Sequence, residues 1–108
     1  MTVHLGEFEQ LVLLALLQLD EEAYGVAVHD EIARRTGRRM SFGTVYATLT
    51  RLEEKGMVGA RLGEPTAERG GRRKKYFHIL APGRRALARS LRSVLRMSQG
   101  IDVSWETT

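Results

Sequence analysis

Apolar positions recur with a helical period in four stretches of this 108-residue chain, and two shorter apolar runs lie between the third and the fourth. The first stretch, about Leu5 to Leu19, holds L-V-L-L-A-L-L at Leu11 to Leu17 and is apolar around most of its circumference. Such a helix needs covering on more than one side, so it is expected to pack inside its own domain and also against a second protein chain. The second stretch, about Tyr24 to Arg35, turns Tyr24, Ala27, Val28 and Ile32 to one face and is stopped by Thr36 and Gly37. Arg38, Arg39 and Met40 then lead into a third helix within Ser41 to Gly56, S-F-G-T-V-Y-A-T-L-T-R-L-E-E-K-G. At about 100° per residue, Val45, Leu49 and Leu52 fall on one face. Thr44, Ala47, Thr48, Arg51 and Lys55 fall on another, roughly perpendicular to it. Ser41 has the hydroxyl that an N-cap needs, and Gly56 fits the left-handed position that closes a helix.

Met57 to Leu62 reads as a first strand and Arg72 to Leu80, with Y-F-H-I-L as its apolar half, as a second. Between them Gly63 to Gly71 contains Pro and three Gly and no apolar period, which is a loop longer than a tight turn. The last helix, about Pro82 to Gln99, has two faces: Leu87, Leu91, Val94, Leu95 and Ser98 lie together, and Arg85, Arg89, Arg92 and Arg96 lie nearly opposite. Pro82 suits the first helical turn.

Two helices joined by a tight turn and followed by a hairpin form a winged helix-turn-helix. The expected fold is therefore mostly α with a small β hairpin, divided into a winged helix-turn-helix at residues 1–80, a C-terminal dimerisation helix at 81–99 and a tail at 100–108. Three helices and a hairpin already complete a small core, which leaves the apolar stripe of the last helix surplus. Leu11, Leu14, Leu87, Leu91, Val94 and Leu95 are expected to pair with the same residues of a twin chain in a two-fold dimer. Folding back of the last helix on its own monomer is the competing arrangement.

Charge changes this picture by suggesting a partner. The net charge of +4 hides an asymmetry: residues 1–33 carry −7, residues 34–60 carry +4, residues 61–92 carry +8, and the last sixteen carry −1. Positive charge thus gathers in the segments that a duplex-binding domain would turn to phosphates. Within the third helix, short side chains near the start and longer cationic ones towards the end suit a helix lying in the major groove. An ordinary amphipathic surface helix would show a similar stripe. In the wing, Arg69, Arg72, Arg73, Lys74 and Lys75 surround Gly70 and Gly71, which let backbone pass close to a surface. An ATP phosphate loop would need G-x-x-x-x-G-K-[ST], and R-G-G-R-R-K-K-Y has neither the spacing nor the hydroxyl.

Other classes lose ground. At 43 per cent apolar and 28 per cent charged the chain has ordinary globular composition. There is no cysteine, and His4, His29 and His78 lack ligand spacing, so neither a metal nor a cofactor is expected. A half-buried or solvated structural role is the default for His29. No nucleophile–base set or carboxylate pair emerges, so an enzyme is disfavoured. Glu7 and Glu9 stand where a signal peptide would be cationic, and the apolar run is far short of the roughly 20 residues that cross a bilayer. A cytoplasmic location without membrane association is the expectation.

Four motifs in this order resemble the PadR family of bacterial winged-helix transcriptional regulators: L-G-E-F-E-Q-L-V-L-L-A-L-L at Leu5 to Leu17, A-Y-G-V at Ala23 to Val26, G-T-V-Y-A-T-L-T-R-L-E-E-K-G-M-V at Gly43 to Val58, and G-G-R-R-K-K-Y-F at Gly70 to Phe77. The resemblance implies a homodimer, joined by the C-terminal helix, that binds operator DNA as a repressor. It implies helix-turn-helix contacts by Tyr24, Thr44, Tyr46, Thr48 and Arg51, with Ser41 beside them, and wing contacts by Arg69, Arg72, Arg73 and Lys74. Tyr46 has two places open to it, the duplex or a seat against the second helix. Ala81 replaces a Thr that often caps the last helix in relatives, so fraying is expected there. Some relatives bind flat aromatic compounds at the dimer interface; a small aromatic effector here is an expectation of the resemblance alone, and the single short arm leaves it less room. Trp105 is either part of a loose tail or a ring folded onto the dimer groove. The expected function is a sequence-specific regulator on a pseudo-palindromic double-stranded DNA site. A nonspecific or architectural nucleic-acid binder and a winged-helix protein-interaction module are the alternatives.

Overall fold

The computed structural model describes residues 4–65 and 73–102. Helix α1 (Glu7–Leu19) is followed by a single 3₁₀ turn at Asp20–Glu22, then by α2 (Gly25–Thr36), α3 (Phe42–Glu54), strands β1 (Val58–Leu62) and β2 (Lys75–Ile79), and α4 (Ala81–Ser98). Local chemistry sets most of these bounds. The Glu9 carboxylate accepts a hydrogen bond from the Gly6 amide at 2.9 Å, which fixes the start of α1. Gly37, left-handed at φ 73°, closes α2 by donating its amide to the Ala33 carbonyl at 2.9 Å.

Both expected caps of α3 are present. The Ser41 hydroxyl accepts from the Thr44 amide at 3.1 Å. At the other end Gly56 sits at φ 76°, and two paired bonds finish the helix: its amide donates to the Glu53 carbonyl and the Met57 amide to the Leu52 carbonyl, each at 3.0 Å. A side chain with a Cβ would be strained there.

The hairpin pairs β1 and β2 antiparallel from Val58 opposite Ile79 to Leu62 opposite Lys75. Its other edge is taken by the residues just before α2: Tyr24 bridges Tyr76, and the Phe77 amide donates to the Ala23 carbonyl at 2.8 Å. The wing is thereby tied to the helix-turn-helix. Helix α4 starts one residue earlier than Pro82, and its cap position is Leu80 rather than Ala81. The Leu80 amide donates to the Met57 carbonyl at 2.9 Å, and its own carbonyl accepts from the Arg84 amide at 3.0 Å. Backbone pairing holds this end, so no capping hydroxyl at position 81 is called upon.

One core joins all the elements. Val12, Leu13 and Leu16 of α1 meet Val28 and Ile32 of α2, Val45, Leu49 and Leu52 of α3, Val58 and Phe77 of the hairpin, and Ala86 and Leu87 of α4. Each fully covered Leu or Val stabilises the fold by about 1.5–3 kcal/mol relative to an exposed one. Leu87, expected at a dimer contact, is therefore a core residue of its own monomer: the first turns of α4 do fold back. Gly83 makes that approach feasible, because a Cβ there would lie 2.4 Å from the Met57 carbonyl oxygen. Beyond Leu87 the helix leaves the core, and Leu91, Val94 and Leu95 stand exposed. Leu11 and Leu14 are half-buried on α1.

Candidate nucleic-acid interface

The outward side of α3 follows from what the core takes. Val45, Thr48, Leu49 and Leu52 are all buried, so at about 100° per residue the opposite stripe is Gly43, Ala47, Thr50 and Glu54, all exposed. Tyr46 flanks it on one side; Thr44 and Arg51 flank it on the other. This corrects one sequence expectation. Thr48 is 1% exposed and faces inward. Its hydroxyl donates to the Thr44 carbonyl at 2.9 Å, which satisfies it and lets a threonine pack like a small apolar residue. The same hydroxyl accepts from an Arg51 guanidinium nitrogen at 3.2 Å, so Thr48 orients Arg51 rather than meeting a duplex itself. Thr50, not picked out from sequence, takes its place on the outward stripe. The available signal was its position opposite Leu52 and Val45.

Tyr46 takes the seat against α2 and keeps part of its ring exposed. Its ring covers Gly25 so closely that a Cβ on that glycine would fall 2.2–2.4 Å from ring atoms, yet Tyr46 remains 43% exposed. At the helix start, Phe42 is 46% exposed and stacks on His29, with ring centroids 4.0 Å apart. His29 in turn donates from Nε2 to the Met40 carbonyl at 2.7 Å and lies 2.9 Å from Asp30 through Nδ1. The half-buried structural role expected for His29 is thus the one it plays: it braces the turn between α2 and α3.

The root of the wing carries interleaved rings and cations. Tyr24 and Tyr76 meet edge to face at 5.7 Å. Lys74 Nζ lies 4.2 Å from the centre of the Tyr24 ring, and the Arg61 guanidinium 4.6 Å from that of Tyr76. Such cation–ring contacts hold long side chains in place without neutralising them. Tyr24 is half-buried and acts as the platform for Lys74, and Arg73 beside it is exposed. Arg69 and Arg72, also expected here, lie outside the described residues, as does Trp105.

Charge in space differs from charge along the chain. Of the six cations in residues 34–60, four are ion-paired: Arg34 and Arg35 with Glu31, Arg38 with Glu7 at 2.7 Å, and Lys55 with Glu9 at 3.1 Å. Lys75 pairs with Glu53 at 3.2 Å. Among the described residues, Arg39 and Arg51 near α3 and Arg61, Arg73 and Lys74 in the wing make no ion pair. The N-terminal acids therefore quench the flanks of the helix-turn-helix and leave positive charge at α3 and the wing. Burial pushes the Glu9 carboxyl up, but the Gly6 amide and the Lys55 and Arg51 charges outweigh it and hold the group below the usual carboxylate range. The Arg35 and Arg34 guanidiniums lower Glu31 likewise.

The pattern of the transcriptional regulator PadR-like family matches residues 13–89, most of the chain. The chain belongs to this family. A PadR family transcriptional regulator from Eggerthella lenta superposes with a TM-score of 0.67 at 28% identity, over 94% of this chain and 88% of that one. An uncharacterized protein of Lysinibacillus sphaericus is 29% identical over 94% of this chain and 90% of its own length. An uncharacterized 37.1 kDa protein in a transposon of Streptomyces fradiae is 34% identical over 86% of this chain, which spans only 24% of that protein. Membership makes the PadR-like chain a transcriptional regulator with DNA as its general partner. Among the described residues, no helix is long and apolar enough to cross a membrane, and no group of three His, Cys, Asp or Glu could hold a metal ion.

Proposed function

We propose that this PadR-like chain is a cytoplasmic, sequence-specific repressor that binds a pseudo-palindromic operator as a homodimer. The outward stripe of α3 carries the reading. Gly43, Ala47 and Thr50 have short side chains, so the helix axis can come close to base edges in the major groove. Arg51, held by Thr48 and in no ion pair among the described residues, is long enough to reach a guanine edge from the flank. Thr44 and Ser41 offer hydroxyls at the helix start. Arg73 and Lys74, at the base of the wing, would meet phosphates.

A dimer is supported by the apolar surface that one monomer leaves uncovered. Leu14 and Leu17 of α1 and Ala88 and Leu91 of α4 line an open trough of about 330 Å³ with the buried Leu87 at its floor, and Val94 and Leu95 stand beyond it on α4 at 61% and 63% exposure. A second copy laying the same surface on this one would bury both by two-fold symmetry. Bound at an operator, such a dimer would occlude the polymerase. Selection of bound duplexes from a random pool tests the whole reading at once. It is expected to return two inverted half-sites with centres about one helical turn apart. A pool that stays random under salt-sensitive binding would mark a nonspecific binder instead.

A further inference from the structure

Another face of α4 carries three arginines that neither the proposed duplex contact nor the proposed dimer contact uses, although Val94 of the dimer stripe borders the same cleft. Arg89, Arg92 and Arg96 recur at helical spacing and line one cleft of about 420 Å³ between α4 and the segment before α1, together with the hydroxyls of Ser90 and Ser93 and the buried Leu5. Among the described residues none of the three guanidiniums makes an ion pair. Arg89 Nε is fully buried with no hydrogen-bond partner, and it is the one such side-chain atom among the described residues. Leaving a charged donor unpaired in this way costs more than an ordinary missing hydrogen bond. Three like charges within two turns also repel each other. Seating a multivalent anion in the cleft would relieve that repulsion through the terminal guanidinium nitrogens, while the covered Nε holds the Arg89 stem against the fold.

We propose that this cleft binds a small phosphate monoester. The donor set selects the chemistry: guanidinium forks bind tetrahedral oxyanions bidentately. Two serine hydroxyls add donors that a dianion with three free oxygens can use, whereas a carboxylate has only two oxygens to offer. Leu5 supplies an apolar wall for the esterified body. No residue of α3 or of the wing lines the cleft, so the proposal does not rest on the operator reading.

The test is calorimetric titration of the full chain with phenyl phosphate, with benzoate as the carboxylate control, repeated on Arg89→Met and Arg85→Met. Methionine keeps much of the stem while removing the charge, and Arg85 lies on the same helix but outside the cleft. Saturable binding of phenyl phosphate, at least tenfold weaker in Arg89→Met, little changed in Arg85→Met and weaker for benzoate, is the expected result. Thermal unfolding of each variant checks that it is folded; if Arg89→Met is not, Ser93→Ala takes its place with the same expectation of weakened binding. Absent binding, or equal binding by all variants, would overturn the proposal. So would displacement of phenyl phosphate by a short DNA duplex that Arg89→Met also binds less well, because the cleft would then belong to the duplex surface.

Discussion

Replacing Gly43 with alanine separates the stability of α3 from its use. Gly43 is the second residue of the helix, and a Cβ built on it meets only the Ser41 hydroxyl oxygen, at 3.8 Å. The added methyl is therefore free of strain in the isolated chain. Alanine favours the helical backbone and restricts the unfolded chain, together worth about 0.5 kcal/mol at this terminal position. For a chain of this size that raises Tm by roughly 2–4 °C. On the duplex the sign reverses. If the start of α3 packs against base edges as tightly as residues pack in a core, an extra methyl there costs about 1–3 kcal/mol. Affinity should then fall by at least about fivefold, since 1.4 kcal/mol is tenfold. Thermal unfolding and fluorescence anisotropy on a selected duplex read the two effects from one sample. A variant that is more stable and binds as tightly as the parent would refute the placement of this helix start against DNA.

Gly83→Ala makes the opposite stability prediction: its methyl would strike the Met57 carbonyl at 2.4 Å, which is backbone and cannot rotate aside, so the variant should lose roughly 1–3 kcal/mol in chemical denaturation, and a gain would contradict the packing. Leu95→Glu, on a side chain 63% exposed in the monomer, should leave thermal stability at low concentration intact and convert a dimer to monomers in analytical ultracentrifugation; an unchanged dimer would relocate the interface. Glu9 has its carboxyl lowered in the folded chain, so its contribution is present above the usual carboxylate value and fades as pH falls through the folded one. Glu9→Gln should thus be less stable near neutrality, by under about 1 kcal/mol, and converge with the parent in acid; a constant gap down to pH 2 would mean the carboxylate charge is not responsible.

Local signals in the sequence suffice where a short stretch decides the outcome. Ser41 and Gly56 bracket α3 because a hydroxyl three residues from an amide and a left-handed glycine act within one turn. Thr48 departs from its expected exposed place because its polarity is cancelled by the Thr44 carbonyl, a bond invisible to any count of polar residues. Losing one residue from the exposed face rotated the candidate reading surface towards Thr50. The charge asymmetry was legible as a sum but not as a field: Glu7 reaches Arg38 and Glu9 reaches Lys55 across 31 and 46 positions of chain. Leu87 illustrates the same limit. Its stripe on α4 is continuous in sequence, and only the close approach at Gly83 shows that the first part of the stripe serves the monomer while the rest stays open.

The most direct trial of the central claim compares affinities for a selected duplex and a scrambled one in the parent, Arg51→Ala and Arg73→Ala at fixed salt. Arg51→Ala is expected to lose mainly the preference between the two duplexes, by about 1–3 kcal/mol, whereas Arg73→Ala should weaken both alike and lower the salt dependence by about one phosphate contact. Retention of full preference in Arg51→Ala, with loss of preference in Arg73→Ala, would contradict that claim.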